Sequence, residues 1–249
     1  MGKGIVIRAR GIDDLATMLD GAAAEGWNPG VHDAAAFFAA DPDGFLGLEL
    51  VDHRGEGLGL ELFNAALARA KTTTIGLDEV LEQEPNYAGD GFVTAHHSVR
   101  FGGAPPSLGE TNGVRELGRA DVDVLVAFER DHELFPGPRP AFLEHWITAP
   151  GTTACAIGDD DRIDGYGIIR VCRDRHKVGP LFCADRTTAE RLLAGLLTHV
   201  DGGPVFLDVP VPNAEGSALA RDLGLERCSK PLGCTAGRRP SSASTACSA

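Results

Sequence analysis

The chain has 249 residues, enough for one large or two modest domains, and its 43% hydrophobic and 24% charged content is that of an ordinary globular protein. Its net charge of −13 argues against nonspecific binding to nucleic acid or to an anionic membrane, since both need clustered Lys and Arg. No apolar stretch is long enough to cross a bilayer, the first residues lack the apolar core of a signal peptide, and the six cysteines show no Cys-x-x-Cys pairing. The expectation is therefore a cytoplasmic protein with reduced thiols. The eight histidines show no metal-ligand spacing, so no metal is expected, and no Gly-x-Ser-x-Gly elbow starts a serine-hydrolase reading.

In chain order, Ile5 to Arg8 reads as an opening strand, and Asp13 or Asp14 can cap a helix reaching Glu25. Trp27-Asn28-Pro29-Gly30 is a turn, and Asp33 to Ala40 is a second helix stopped by Asp41-Pro42-Asp43-Gly44. Phe45 to Val51 is an apolar run of strand length. In the segment Leu60 to Ala70, the residues Leu62, Phe63, Ala66, Leu67 and Ala70 recur at helical spacing. Thr72 to Leu77 reads as a strand, Pro85 to Gly91 as a short helix, and Val93 to Phe101 as a further strand. Residues 104–112, opened by Ala104-Pro105-Pro106-Ser107, form a linker. Beyond it come a short strand Val114 to Leu117, helices Ala120 to Arg130 and Pro140 to Trp146, and strands Thr152 to Ile157, Gly165 to Cys172 and Lys177 to Cys183. A helix Thr188 to Val200, a strand Val205 to Val209 and a helix Ala214 to Leu223 complete the series. Strands alternating with helices indicate layered α/β architecture.

Chemistry concentrates in Arg54-Gly55-Glu56-Gly57-Leu58-Gly59, a glycine-rich turn from strand to helix. The first N–H groups of a helix lack intrahelical partners, and the helix dipole adds partial positive charge there. Glycines admit a bulky anion to the backbone, so the turn can cradle a phosphate, with Arg54 adding a charge-assisted contact. The Gly-Lys-Ser/Thr of a Walker A loop and the Gly-x-Gly-x-x-Gly of a dinucleotide fold are both absent. Arg54-x-x-Gly57-x-Gly59 resembles the pyrophosphate loop of the GNAT N-acyltransferases, and Tyr87-x-x-x-Gly91-Phe92 resembles their second motif. The resemblance implies that Tyr87 lies near the coenzyme A sulfur, where a phenol can protonate the departing thiolate as general acid.

The two halves also match one another: Leu77-Asp78, Pro85-Asn86 and Gly91-Phe92 find counterparts in Leu207-Asp208, Pro212-Asn213 and Gly224-Leu225. The second copy has Ala184-Asp185-Arg186-Thr187-Thr188, without glycine, where a phosphate loop would stand. The whole chain thus resembles tandem acetyltransferases of bacteria, most clearly at Gly26-Trp27-Asn28-Pro29-Gly30, Asn86-Tyr87-Ala88 and Lys177-Val178-Gly179-Pro180-Leu181-Phe182. The resemblance implies an α/β (α+β) fold of two three-layer α/β/α GNAT-like domains, the first at residues 1–103 and the second at 113–228; the aperiodic composition beyond it gives a disordered tail at 229–249. Two departures stand out. Only Phe45 to His53 separates the second helix from Arg54, room for one strand where the family runs three, an internal deletion of roughly 25–30 residues by typical strand length. From Cys228 the periodicity ends, and the altered C-terminus reads as translation in a shifted frame beyond Arg227.

The resemblance implies an N-acetyltransferase that moves acetyl from acetyl-CoA to a small primary amine. Arg54, Gly55, Glu56, Gly57, Leu58 and Gly59 would hold the pyrophosphate, and Asn86 would contact the pantetheine. A strand amide near Leu48 or Leu50 would polarise the carbonyl, Glu49 would relay a proton, and Tyr87 would protonate the thiolate. The alternative is a non-catalytic or degenerate acyl-CoA-binding or regulatory protein. A small-molecule amine is the expected partner, with no nucleic acid and no membrane; homodimerisation is left open.

Overall fold

The computed structural model describes residues 6–49, 57–70, 75–105, 109–228 and 232–238. Strand β1 (Val6–Ala9) leads through a 3-10 turn into α1 (Leu15–Ala24), followed by α2 (Asp33–Ala40) and β2 (Leu46–Glu49). Then come α3 (Leu58–Arg69), β3 (Ile75–Glu79), α4 (Glu84–Gly89) and the long β4 (Val93–Gly103). The second half runs β5 (Val114–Glu116), α5 (Val122–Asp131), α6 (Pro140–Thr148), β6 (Thr152–Gly158), β7 (Ile163–Val171) and β8 (His176–Cys183). It ends with α7 (Arg186–Leu197), β9 (Val205–Pro210), α8 (Ala214–Asp222), β10 (Glu226–Arg227) and β11 (Leu232–Arg238).

The halves open alike. The Gly11 N–H donates to Asp14 Oδ2 at 3.2 Å, and the Gly118 N–H donates to Asp121 Oδ2 at 2.7 Å. In each case the aspartate amide returns a bond to the glycine carbonyl, at 3.1 and 2.9 Å. Each Gly-x-x-Asp thus closes a reciprocal turn, aspartate carboxylate to glycine amide and aspartate amide to glycine carbonyl, that opens the first helix of its half.

The described residues form a two-stranded sheet, β1-β2, and a nine-stranded sheet in the order β3-β11-β4-β9-β8-β7-β6-β5, with β10 also beside β4. The β8–β9 pair is parallel and its neighbours are antiparallel. β4 belongs to both halves. Its residues from Val93 to Ser98 face β11 on one edge, and Ser98 to Gly103 face β9 on the other. Two clusters of buried side chains flank this sheet. One joins Phe101, Ile169, Val178 and Leu207 to Leu192, Leu196 and Leu219 of α7 and α8. The other joins Ala154, Tyr166 and Ile168 to Leu125, Phe142, Leu143 and Trp146 of α5 and α6. Ala36 of α2 enters the second cluster, and Phe37 sets its ring edge-on to Phe142 and Trp146, with centroids 5.1 and 5.8 Å apart.

The Trp27-Asn28-Pro29-Gly30 turn is a clasp between halves. Asn28 exchanges two hydrogen bonds with the Asp174 backbone, at 3.0 and 2.7 Å, and Gly30 forms an antiparallel bridge with Cys172. Asp33 Oδ1 accepts from Arg170 Nε at 2.9 Å, so the start of α2 is held to β7.

One expectation is met in an unexpected place, and one is corrected. The run Phe45 to Val51 is expected as the strand leading into the phosphate loop, and a strand does form there at Leu46–Glu49, but in a sheet of its own with β1. There β2 lies antiparallel to β1, with Val6 opposite Glu49 and Ala9 opposite Leu46, just as β6 lies against β5. With a single strand between α2 and the loop, β1 takes it, and the described neighbour of β3 is β11. The tail at 229–249 was read as disordered, yet Leu232–Arg238 is a strand paired with both β3 and β4. Small residues are no obstacle there, because a strand flanked on both edges satisfies its backbone groups whatever its side chains. Residues 239–249 lie outside the described residues, as do 106–108 within the expected linker.

Candidate functional site

α3 starts from Gly57, whose φ of 78° and ψ of 11° place it in the left-handed region that glycine tolerates and side chains resist. The Gly57 carbonyl accepts from the Leu60 and Glu61 amides at 3.1 and 3.3 Å, so the first turn is formed. A glycine brings no capping oxygen, and no side chain among the described residues caps this end. Gly57 and Gly59 are exposed, and a Cβ built on either meets nothing within 4 Å. Among the described residues the N-terminus of α3 is thus open, with no capping side chain and with Glu61 the acidic residue of its first turn. Arg54, Gly55 and Glu56 lie outside the described residues.

Tyr87 on α4 is brought against the same helix. Its ring lies 5.5 Å from that of Phe63 on α3 and 6.0 Å from that of Phe92, with Phe63 and Phe92 themselves 5.9 Å apart. The ring is half-buried and Phe92 is buried, so the phenol is held by a tilted contact to Phe63 and an edge-on contact to Phe92. Asn86 is exposed and donates to Gln83 Oε1 at 2.7 Å. Leu58 and Gly59 form the first turn of α3. Glu49 and Leu48 sit in the separate β1-β2 sheet, opposite Val6 and Ile7; the Glu49 side chain and Leu50 lie outside what is described. The structure therefore gathers Gly57, Leu58, Gly59 and Tyr87 around α3, and puts the β2 residues in a different sheet.

The equivalent helix of the second half is closed. Asp185 caps α7 with its carboxylate, accepting from the Thr188 amide at 2.8 Å and from Thr188 Oγ1 at 3.1 Å. The Thr188 amide bond holds the Asp185 carboxyl below its ordinary range, so it is ionised at neutral pH. A resident carboxylate already occupies the place an incoming phosphate would take.

One buried constellation was not anticipated from the sequence. Glu129 on α5 is 4% exposed and accepts from the Tyr166 hydroxyl at 2.5 Å and from Arg139 at 2.9 and 2.6 Å. The Arg139 guanidinium also lies 3.4 Å from the Phe135 ring centre and 4.5 Å from that of Phe142. Burial, then the charge of Glu129, push the Tyr166 hydroxyl up, so it remains a donor. With its oxygens taken by three donors, Glu129 has the bonding of a strut between α5, α6 and β7. Its members come from distant segments, so no local motif announces it. Among the described residues no three His, Cys, Asp or Glu side chains gather as metal ligands, and no helix is long and apolar enough to cross a membrane.

Comparison with known proteins follows the same lines. Residues 127–245 match the acetyltransferase (GNAT) domain model, a match that covers the second half and continues past Arg227. A curated relative, holothin acyltransferase of Pseudoalteromonas sp. (strain SANK 73390), is 29% identical over 217 residues, spanning 76% of this chain and 73% of that protein. A candidate acetyltransferase from Pyrococcus horikoshii superposes with a TM-score of 0.74 at 18% identity, covering 96% of this chain and 91% of its own. A tandem GNAT protein from the clavulanic acid biosynthesis pathway superposes with a TM-score of 0.58 at 14% identity, covering 96% of this chain and 100% of its own. The chain as a whole therefore has the mixed α/β GNAT fold, and its residues 127–245 match the GNAT acetyltransferase domain.

Proposed function

We propose that the chain is an acyl-CoA-dependent N-acyltransferase that transfers acetyl from acetyl-CoA to a small primary amine. The observation that carries this reading is the open N-terminus of α3 at Gly57, set against the carboxylate-capped N-terminus of α7. Further support comes from the GNAT domain match and from the acyltransferase relative. Loop amides from Gly55 to Gly59, with Arg54, hold the pyrophosphate, and Asn86 contacts the pantetheine. The neutral amine nitrogen attacks the thioester carbonyl, the C–N bond forms as the C–S bond breaks, and Tyr87 gives its proton to the departing sulfur. The attacked nitrogen sheds its extra proton as the neutral amide product forms, and that proton returns to the tyrosinate with Glu49 as relay, the amide of Leu48 or Leu50 polarising the carbonyl.

A second reading, a non-catalytic acyl-CoA-binding protein, is favoured by one observation: β2 pairs with β1, and no strand among the described residues lies parallel beside β3. Titration with acetyl-CoA, followed by coenzyme A release against a panel of amines, separates the two. Binding with turnover supports transfer; binding without turnover supports the second reading. Gly57→Val should abolish binding, because the branched side chain blocks backbone approach and resists a φ of 78°. A Gly57→Val protein that binds acetyl-CoA like the wild type would remove the loop from both readings.

A further inference from the structure

A row of charged side chains crosses the centre of the large sheet. Ile169, Val178, Leu207 and Phe101 all face α7 and α8 in one core cluster. Strand alternation puts their neighbours Arg170, Lys177, Asp208 and Arg100 on the opposite face, across β7, β8, β9 and β4. Arg100 grips Asp208 with two bonds, Nε to Oδ1 at 2.7 Å and Nη2 to Oδ2 at 2.9 Å. Lys177 Nζ lies 2.9 Å from the same Oδ2. Arg170 is matched separately, by Asp33 Oδ1 at 2.9 Å and by the Gly179 carbonyl at 3.0 Å.

The charges do not balance. Among the described residues three cations face two carboxylates, and Asp208 serves both Arg100 and Lys177. The group is well withdrawn from water: the side chains of Arg100, Lys177 and Arg170 are 10%, 17% and 12% exposed. Both carboxylates are committed. Burial raises the Asp208 carboxyl, but Arg100 and Lys177 outweigh it and hold it below its ordinary range. Cys172 lies within the field of Arg170, Lys177, Asp33 and Arg100, yet burial outweighs the cations and pushes its thiol up, so it supplies no negative charge. An uncompensated charge withdrawn from water is costly unless something pairs with it.

Lys177 is the member that can take a ligand. Its ammonium has three N–H donors and, among the described residues, a single charged partner. Arg100 is 8% exposed and already bidentate on Asp208. We propose that Lys177, backed by Arg100 and Arg170, forms a binding site for one small carboxylate monoanion on the sheet face opposite α7 and α8. One surplus charge matches one negative charge, which favours a carboxylate over a phosphate dianion. On a chain of net charge −13, this is a local reversal of sign, so an anion is drawn to it rather than to the general surface. The site is independent of the transfer reading, since it needs neither the phosphate loop nor Tyr87.

The test uses the whole chain and acetate as the probe, titrated at constant ionic strength and followed by line-broadening of labelled acetate, with phosphate as the second arm. The wild type should saturate with acetate and respond less to phosphate. Lys177→Gln should weaken acetate binding by about tenfold or more, the cost of one charge-assisted contact, while Lys177→Arg stays within about threefold. Asp33→Asn, which raises the surplus without touching Lys177, should tighten acetate binding. Absence of saturable acetate binding in the wild type overturns the site, as does equal affinity in Lys177→Gln. A stronger response to phosphate than to acetate overturns the carboxylate assignment. Should Lys177→Gln fail to fold, unchanged affinity in Asp33→Asn overturns the proposal instead.

Discussion

α3 and α7 are the same length, 12 residues each, and follow the same place in the repeated unit, yet they live in different surroundings. α7 buries Thr188, Ala189, Leu192, Leu193, Ala194, Gly195 and Leu196, whereas α3 buries no residue fully. The cause is not the pattern of α3, whose Leu62, Phe63, Ala66 and Leu67 make a proper apolar stripe. It is the sheet beneath. α7 lies over β6, β7 and β8, all within one continuous antiparallel run, while the strand preceding α3 has gone to β1. An amphipathic helix states which face it offers, but a neighbouring sheet decides whether that face is covered.

The sharpest way to break this comparison is a pair of leucine truncations. Leu192→Ala, at a position 0% exposed, should cost ~2–5 kcal/mol in urea unfolding. The half-buried Leu67→Ala should cost less than ~1 kcal/mol. Equal losses would mean that α3 is covered in solution as fully as α7. The two tyrosines of the chain give the next contrast. Tyr166→Phe removes a buried bond to the Glu129 carboxylate and should cost ~1.5–3 kcal/mol, seen as a lower thermal midpoint. Tyr87→Phe should leave the midpoint alone and lower kcat on the order of 10–1000-fold with acetyl-CoA affinity unchanged. A tyrosine pair with these roles reversed would move the chemistry into the second half. The smallest expected effect concerns the last strand. Deleting Pro231 to Ala249 strips β11 from between β3 and β4 and should lower the midpoint by a few degrees, since about 1 kcal/mol moves a chain of this size by roughly 2–4 °C. An unchanged midpoint would restore the reading of the tail as unpacked chain.

The strand and helix order was legible almost throughout, because periodicity and turn residues are local signals. Asp33–Ala40 and the start of β4 at Val93 were read directly from helical spacing and from the Gly91 stop. What stayed hidden was pairing. Nothing within Phe45 to Val51 tells whether its neighbour is β1 or β3, since both partners lie far along the chain. β11 was hidden for the opposite reason: Gly, Cys, Thr and Ala carry little hydrophobic signal, and the strand is defined by the two edges that accept it. The candidate site divides the same way. The Gly57 helix start is local chemistry and was readable, whereas the Glu129–Tyr166–Arg139 knot and the Lys177 row arise from cross-strand and inter-helix neighbours that no short window contains.

The threading of β4 bears on how the protein is made. Its first residues need β11, the last strand described, and its later residues need β9, so each edge waits for a strand made much later in the chain. The first half cannot mature as a separate unit and wait for the second, as consecutive domains ordinarily do during synthesis. Closure of the β3-β11-β4 part of the sheet waits until residues 232–238 have been made, with the β4 edge held open in the interval. The same dependence couples the halves once formed: loosening at β11 reaches β3 and β4 together, and through β4 it reaches β9 of the second half.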